Sequence, residues 1–300
     1  MALGMLVNGK WATDWTEHDE QGNFNRMQTK FRNTVEEITE EDRGRYSLYV
    51  SYGCPWAHRT IMTYELLGLN DFINLVVVEP HISEDGWYFS KELPDTNYDL
   101  KLLQDLYLKD SSRYTGRVTV PVLWDGESKK IINNESLEII KILNGVFRAF
   151  SNKRYNLFPE QKIEDIQSEI DYNYDAINNA CYRTGFAKSQ GVYEEEVVKL
   201  FKELEMLNGK LEHREYLIDE QLTGADLSLL PTLLRFDTAY HGIFKCNLKR
   251  LKDFSNIQRY MNNLLNNDLI NKTFKPDHIK SLYYKVKELN PSGVIPLGQA

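Results

Sequence analysis

Several classes of protein are excluded by what the sequence lacks. Its 300 residues contain no apolar run close to the roughly 18 residues of a membrane span, and the longest strand-like stretch is INLVVVEP. Acidic residues (44) outnumber lysine and arginine (36), and the formal net charge of -8 argues against a general nucleic-acid or anionic-membrane surface. The opening residues, MALGMLVNGKWATDW, have neither a basic segment nor an apolar core, so we expect no signal peptide.

Cysteine is scarce, and its three copies are far apart. Cys54, Cys181 and Cys246 are odd in number and suggest no disulfide framework, which fits a reducing compartment and predicts a cytoplasmic protein. The six histidines form no metal-ligand spacing with one another or with a cysteine, so we expect no metal site. Glycine-rich phosphate loops are also absent from the sequence.

The residues that are present predict a globular chain of two domains. Apolar residues make up 42% of the chain and aromatic residues 12%, enough to bury real cores at a length typical of two domains. We expect four segments: an irregular N-terminal arm packed on the fold (1–45), an α/β domain (46–145), a linker (146–160) and an all-helical domain (161–300).

The α/β domain is predicted from changes in hydrophobic periodicity. RYSLYVS and FINLVVVEP are β-rich, and CPWAHRTIMTYELLGL between them has apolar residues at helical spacing and stops at Gly68. Strand, helix and parallel strand make a βαβ unit. After a polar insertion (81–116) come a strand interrupted by Pro121, a strand at KKIIN and a helix at NESLEIIKIL.

The second half of the chain has a helical pattern. Apolar residues recur at three- and four-residue steps in one long segment, through Val197, Leu200, Phe201, Leu204, Leu207 and Leu211. The stretch TGADLSLLPTLLRF begins with Thr223 and has Asp226 three residues later, which is capping-box spacing with Asp in place of Glu or Gln. We therefore expect a helix to begin there.

Cys54 is the first candidate for chemistry. It lies between the end of a predicted strand and the start of a predicted helix, and Pro55 suits the first helical turn. A thiol there faces unpaired N–H groups and the positive end of the helix dipole, and both favour its thiolate form. This position favours a reactive cysteine; the alternative is a cysteine that packs as a small buried hydrophobic side chain. The fourth position of CPWA is Ala57 rather than a second cysteine, so a mixed disulfide at Cys54 needs an external thiol to release it. His58 could be a general base, but we interpret it as a structural or solvent contact.

Two further motifs suit a ligand with a peptide backbone and an amino-acid end. In TVPV, a cis bond before Pro121 would turn the backbone of Val120 outward for pairing, and the alternative is an ordinary edge-strand proline. In NNES, Glu135 and Ser136 open a helix and offer a carboxylate, a hydroxyl and backbone N–H groups to a zwitterion. The alternative there is a simple helix cap.

Together these motifs resemble a cytosolic glutathione transferase with a cysteine active site, and more closely the Xi class, the Omega-like glutathionyl-hydroquinone reductases. The matching stretches run from residue 6 to near the C-terminus: LVNGKW, SYGCPWAHRT, DGWYF, GRVTVPVLWD, NNESLEII, LRFDTAYHGIFKCN, HIKSLYY and LNPSGVIPLG. The resemblance implies a thioredoxin-like N-terminal domain followed by an all-helical domain. It also implies a homodimer.

Carried over by position, the resemblance implies roles for eight residues. Cys54 is the nucleophile, and the glutathione-binding residues are Trp87, Arg117, Val120, Glu135 and Ser136. Tyr182 and Tyr283 line the quinone pocket, with Tyr284 as the alternative to Tyr283. Family members more often have Gly-Val where this chain has Ala180–Cys181, which places a further thiol beside that pocket.

The resemblance implies reduction of glutathionyl-hydroquinones, or related aromatic conjugates, with glutathione as co-substrate. Cys54 attacks the sulfur of the conjugate, the tyrosine hydroxyls assist protonation of the ring, and a second glutathione releases oxidised glutathione. Two alternatives stay open. One is an Omega-like thioltransferase or dehydroascorbate reductase that uses the same cysteine, and the other is a non-catalytic interaction protein that keeps the fold and the glutathione site.

Overall fold

The structure, a computed structural model, describes residues 4–13 and 17–298 and divides into two units. The first unit comprises Met27–Tyr155 with the described part of residues 1–16, and the second comprises Glu17–Arg26 with the described residues from Asn156 onward. None of the described helices is both long and apolar enough to cross a membrane.

The described residues of the first unit form two sheets. Its described strands are β1 (Met5–Val7), β2 (Lys10–Ala12), β3 (Tyr46–Val50), β4 (Asn74–Val77), β5 (Gly116–Arg117), β6 (Val122–Asp125) and β7 (Lys130–Asn133). The larger sheet has the order β4-β3-β6-β7, with β3 parallel to β4 and antiparallel to β6, and β6 antiparallel to β7. The smaller sheet has the order β2-β1-β5 and is antiparallel. The βαβ unit and the strand predicted at KKIIN are thus confirmed.

Three α-helices complete the first unit among the described residues: α1 (Pro55–Leu67), α2 (Leu103–Asp110) and α3 (Ser136–Asn144). The helix α1 ends where the sequence predicts, because Gly68 adopts the left-handed conformation (φ 67°) that favours glycine. Helices α1 and α3 pack against each other, and Arg59 on α1 donates to the hydroxyl of Ser136 at the start of α3 (3.3 Å). This packing matters because both candidate motifs, CPWA and NNES, lie at helix starts.

The first unit differs from expectation in three places. The predicted irregular arm contains the β1–β2 hairpin, whose three-residue strands are too short to show an alternating pattern. The polar insertion contains α2, which buries only one side. The strand predicted across Pro121 is two strands in different sheets, since β5 pairs with β1 and β6 begins only at Val122.

The second unit is helical. Its described α-helices are α4 (Ile163–Asn173), α5 (Ala180–Phe186), α6 (Gln190–Lys210), α7 (Gly224–Arg235), α8 (His241–Ile243), α9 (Ser255–Leu265), α10 (Asp268–Asn271) and α11 (Pro276–Tyr284). Two π-helical segments, Tyr174–Asn179 and Phe236–Tyr240, run directly into α5 and α8. Such wider turns change which face a following side chain takes.

Both helical predictions for this unit are confirmed. The apolar face predicted along residues 197–211 is buried on α6 and at its C-terminal end. At the start of α7, the hydroxyl of Thr223 accepts from the N–H of Ala225 (3.3 Å), and the carboxylate of Asp226 accepts from the N–H of Thr223 (2.8 Å). These backbone N–H groups at the start of α7, which have no partner within the helix, are therefore bonded by the two side chains of the capping box.

Candidate active site

Cys54 lies at the N-cap of α1, directly after β3 and its following turn. Its backbone is extended (φ -78°, ψ 124°), and Pro55 occupies the first helical turn. The carbonyl of Cys54 accepts the first helical hydrogen bond, from the N–H of His58 (3.0 Å). The thiol therefore stands at the helix end where N–H groups and the dipole favour negative charge. Its side chain is 7% exposed, and His58 is fully buried, which excludes a solvent contact for that histidine.

The thiol of Cys54 lies against the TVPV segment. Its Sγ donates to the carbonyl oxygen of Val120 at 3.8 Å, and the bond between Val120 and Pro121 is cis. The preceding residue, Thr119, is held by Tyr107, whose hydroxyl donates to the Thr119 carbonyl (2.8 Å) and accepts from the Thr119 N–H (3.2 Å). The structure thus brings together two of the predicted residues, Cys54 and Val120, that are 66 positions apart.

Glu135 and Ser136 open the helix α3. Glu135 is the N-cap residue, and its carboxylate accepts from the N–H of Leu137 (3.3 Å). Ser136 is the first helical residue, and its hydroxyl donates to the same carboxylate at 3.4 Å. Asn133 supports the turn by accepting from the N–H of Glu135 (2.7 Å). The cap and the predicted ligand-binding motif are therefore the same structure, so the two interpretations of NNES are compatible.

Trp87 and Arg117 belong to the same unit but to other elements. Trp87 is 4% exposed, and its carbonyl accepts from the N–H of Leu103 at the start of α2 (2.9 Å). Arg117 is 8% exposed on β5, and its carbonyl accepts from the hydroxyl of Tyr114 (3.0 Å). Arg117 and Thr119 both line a small cavity of about 10 Å³, the smallest volume that holds a water molecule.

The two predicted tyrosines meet in the second unit. The hydroxyl oxygens of Tyr182 on α5 and Tyr283 on α11 are 2.8 Å apart. The residue reserved as an alternative, Tyr284, instead places its hydroxyl beside Gly242. The structure therefore brings Tyr283, and not Tyr284, to the hydroxyl of Tyr182.

A third tyrosine, which the sequence prediction missed, completes this group. The hydroxyl of Tyr240 lies 3.0 Å from that of Tyr283, so Tyr182, Tyr240 and Tyr283 form a chain that we call the tyrosine cluster. Phe244 packs against it, stacked on the ring of Tyr240 at a centroid distance of 4.9 Å. Tyr240 lies in the stretch LRFDTAYHGIFKCN, but the sequence pattern does not indicate which of its side chains meets the other two tyrosines.

Burial keeps the proton on two hydroxyls of the tyrosine cluster. Tyr240 and Tyr283 are fully buried, and burial raises the pKa of each well above the usual value, with the neighbouring Tyr182 adding to the rise. The positive charge of Arg235 opposes this rise without cancelling it. These hydroxyls are therefore neutral proton donors across the physiological pH range.

Arg26 also contacts the cluster and was missed. Its guanidinium lies 4.6 Å from the ring centroid of Tyr182, and its Nε donates to the side chain of Asn179 at 3.4 Å. Among residues 4–13 and 17–298, no three His, Cys, Asp or Glu side chains are grouped so as to hold a metal ion. The groups that could take part in a reaction are thus a thiol at a helix start and tyrosine hydroxyls in a buried cluster.

A thioredoxin-like unit with a cysteine at the first helix, followed by a helical unit, defines the class of protein. Residues 53–145 match the family model of the glutathione S-transferase N-terminal domain, and residues 176–268 match that of the C-terminal domain. The chain belongs to the glutathione S-transferase family and, within it, to the Xi class.

Similarity to individual proteins extends over the whole chain. The glutathionyl-hydroquinone reductase PcpF of Sphingobium chlorophenolicum is 37% identical, over 99% of this chain and 97% of its own. The glutathionyl-hydroquinone reductase YqjG of Escherichia coli is 39% identical over 99% and 95%. The Xi-class structure from Natrialba magadii superposes with a TM-score of 0.92 at 39% identity, covering 100% of this chain and 94% of that one. The predicted fold and family are confirmed.

Proposed function

We propose that this protein reduces glutathionyl-hydroquinones to hydroquinones and releases oxidised glutathione. The observation that carries the proposal is the tyrosine cluster, because a thiol at a helix start is common to many thiol transferases. Neutral, buried hydroxyls suit a reaction in which a ring oxygen must be held and a carbon protonated. The names of two relatives that match over nearly the full chain support the same reaction.

In this proposal the first unit binds glutathione. Val120 pairs its backbone with the cysteinyl residue of the tripeptide, which brings the ligand sulfur beside Cys54. Glu135 and Ser136 bind the ammonium and carboxylate of the γ-glutamyl end at the start of α3. Trp87 stacks on the peptide, and Arg117 pairs with a ligand carboxylate.

The reaction has two thiol steps. The Cys54 thiolate attacks the sulfur of the conjugate, a disulfide forms between Cys54 and glutathione, and the bond between sulfur and the ring carbon breaks. The electron pair of that bond passes to the ring carbon, which takes up a proton and becomes the hydroquinone C–H. A second glutathione thiolate then attacks the mixed disulfide, which yields oxidised glutathione and regenerates the Cys54 thiolate. Ala57 in place of a second cysteine is consistent with this external release.

The tyrosine cluster acts on the aromatic half of the conjugate. Tyr182 and Tyr283 bind the ring oxygens and assist delivery of the proton to carbon, and Tyr240 orients Tyr283 through their 3.0 Å contact. Because burial raises the pKa of Tyr240 and Tyr283 well above the usual value, these two hydroxyls hold a proton when the carbon–sulfur bond breaks.

One assay tests the proposal against its alternatives. Oxidised-glutathione production is measured from a glutathionyl-hydroquinone, from hydroxyethyl disulfide and from dehydroascorbate. We expect the hydroquinone conjugate to have the highest kcat/KM by at least about tenfold, the scale of positioned proton transfer. Preference for the disulfide or for dehydroascorbate would establish the Omega-like alternative. No turnover of any of the three would establish a non-catalytic protein.

Three finer points belong to the same proposal. Residues 46–145 form the glutathione-binding domain, and residues 161–300 form the domain that carries the hydroquinone pocket. The protein is a cytoplasmic homodimer, for which the three widely spaced cysteines and the family resemblance are the support. Sedimentation equilibrium at twice the mass of the chain is the expected result, and the mass of a single chain would contradict it.

A further inference from the structure

A buried arginine lies directly behind the start of α3. Arg59, five residues after Cys54 on α1, is only 1% exposed. Its guanidinium is stacked 4.6 Å from the ring centroid of Trp56, and its Nη1 donates to the hydroxyl oxygen of Ser136 at 3.3 Å. Burying a guanidinium costs free energy that a helix–helix contact between apolar side chains would avoid. A charged group in this position therefore suggests a task beyond packing.

The contact with Arg59 fixes what the Ser136 hydroxyl is able to do. A serine hydroxyl has one proton to donate and two lone pairs that accept. Arginine has donors only, so Arg59 occupies a lone pair and leaves the proton of Ser136 to be directed elsewhere. In the structure, that proton points to the carboxylate of Glu135 across 3.4 Å, a long and weak hydrogen bond.

Glu135 does not depend on this weak bond. Its carboxylate also accepts from the N–H of Leu137 (3.3 Å) and from the hydroxyl of Thr29 (3.4 Å). The hydroxyl of Ser136 can therefore turn its proton toward a ligand without leaving Glu135 unpartnered. A hydroxyl that accepts from a cation is also a stronger donor, because hydrogen bonds in a chain polarise one another.

We infer that Arg59 is a positioning residue that holds the oxygen of Ser136 and directs its proton to the α-carboxylate of the γ-glutamyl end of glutathione. The inference rests on the proposed function, which places that end of the ligand at Glu135 and Ser136. Arg59 adds a buried positive charge to the N-terminal end of α3, where an anion is already favoured. It thereby makes the site selective for peptides that carry an α-carboxylate.

The test compares two peptides that differ in that carboxylate alone. Glutathione and 4-aminobutyryl-cysteinylglycine, which lacks the α-carboxylate, are titrated into the full-length protein by calorimetry. We expect Arg59→Lys to weaken glutathione binding about tenfold, because lysine cannot combine stacking on Trp56 with a directed donor to Ser136. Binding of the truncated peptide should change by less than about twofold. In a Ser136→Ala background, Arg59→Lys should have little further effect on glutathione binding.

Controls separate this role from general damage. Arg45→Lys, at an arginine that pairs with Asp125 near the start of β3, should leave the binding of both peptides unchanged. If Arg59→Lys fails to fold, Trp56→Leu removes the surface that orients the guanidinium, and a loss of about threefold for glutathione alone is expected. Equal losses for both peptides, or a full Arg59 effect without Ser136, would overturn the inference. If the unchanged protein binds no glutathione, the proposed function itself is refuted.

Discussion

At the scale of single residues, the three thiols of this chain differ sharply in their surroundings. Cys54 is 7% exposed at the start of α1, where helix N–H groups favour the thiolate. Cys181 and Cys246 have no exposed surface, and burial, together with the nearby Cys181 thiol, raises the pKa of Cys246 well above its usual value. Their positions in the fold therefore distinguish the three thiols, and we expect Cys54 to be the one that reacts.

The first prediction concerns the pH at which Cys54 reacts. Because a helix start favours the thiolate, alkylation by iodoacetamide should continue at pH 6, where an ordinary thiol of pKa about 8.5 reacts slowly. Mass spectrometry of the labelled peptides should locate the modification at Cys54. Cys54→Ser is the control and should remain unlabelled. A pH profile that follows an ordinary thiol, or preferential labelling of Cys181 or Cys246, would contradict the prediction.

The second prediction separates the nucleophile from the binding site. Cys54→Ser should abolish reduction of a glutathionyl-hydroquinone, because no thiolate remains to form the mixed disulfide. Glutathione affinity, measured by calorimetry, should stay within about threefold, since our proposal assigns the binding contacts to Val120, Glu135 and Ser136. Substantial reductase activity in the variant would remove Cys54 from the mechanism. Loss of glutathione binding would instead show that the substitution disturbs the site.

At the scale of elements, the start of α7 depends on one buried carboxylate. Asp226 accepts from the N–H of Leu217 (2.9 Å), from the N–H and the hydroxyl of Thr223, and from the hydroxyl of Tyr260 (2.9 Å). Burial raises its pKa from 3.8 to about 6, even though these hydrogen bonds favour the anion. Asp226 therefore joins the beginning of α7 to α9 and to the loop after α6.

The third prediction follows from that carboxylate. Asp226→Asn should lower the free energy of unfolding by about 2 kcal/mol at pH 4. The protonated carboxyl of Asp226 still accepts through both of its oxygens, whereas an amide has one acceptor oxygen and turns an NH2 group toward the remaining donors. The raised pKa of Asp226 contributes stability below about pH 4, and this contribution is lost as the pH rises through 6. The difference in free energy of unfolding between the unchanged protein and Asp226→Asn should therefore be smaller at pH 7 than at pH 4.

Urea unfolding at the two pH values measures both effects. The matched control is Asp277→Asn, an exposed aspartate in the first turn of α11, which should change stability by less than about 0.5 kcal/mol. The same deficit at pH 4 and pH 7 would mean that Asp226 titrates near its ordinary pKa. A stable Asp226→Asn variant would show that the cap is not needed.

The elements that the sequence predicts are those with a local physical signal. The helix α1 has a proline at its first turn and a left-handed glycine after its last, and α7 has a complete capping box. The hairpin of β1 and β2 and the helix α2 were missed. Strands of three residues show no period, and α2 lacks a side-chain N-cap.

The candidate site follows the same division. Cys54 and the Glu135–Ser136 turn are identified by local motifs, because the start of a helix depends on residues that are adjacent in the sequence. Tyr240 is not, because it ends the π-helical segment Phe236–Tyr240, where the 3.6-residue period no longer tells which face a side chain takes. Arg26 was missed because its contact with Tyr182 joins residues 156 positions apart, which a sequence pattern does not encode.

At the scale of the whole molecule, the proposed chemistry is divided between the two units. The first unit carries the Cys54 thiol and the residues proposed to bind glutathione, and the second carries the tyrosine cluster. Thiol–disulfide exchange needs only the former, because a sulfur leaving group is stable as a thiolate. Release of a ring carbon also needs a proton, which the second unit supplies in our proposal. The two substrate types therefore report on the two units separately.

The last prediction uses this division. Tyr182→Phe and Tyr283→Phe should each slow glutathionyl-hydroquinone reduction by at least about tenfold, since positioned proton transfer typically contributes about 10²–10⁴-fold. Their 2.8 Å contact makes them one unit of function, so the double variant should lose less than the product of the single losses. Tyr284→Phe is the matched control on the same helix and should be nearly silent. Turnover of hydroxyethyl disulfide should barely change in any variant. Equal losses on both substrates would indicate general damage to the fold, whereas no loss on the conjugate would exclude these tyrosines from the reaction and leave the Omega-like alternative as the better account.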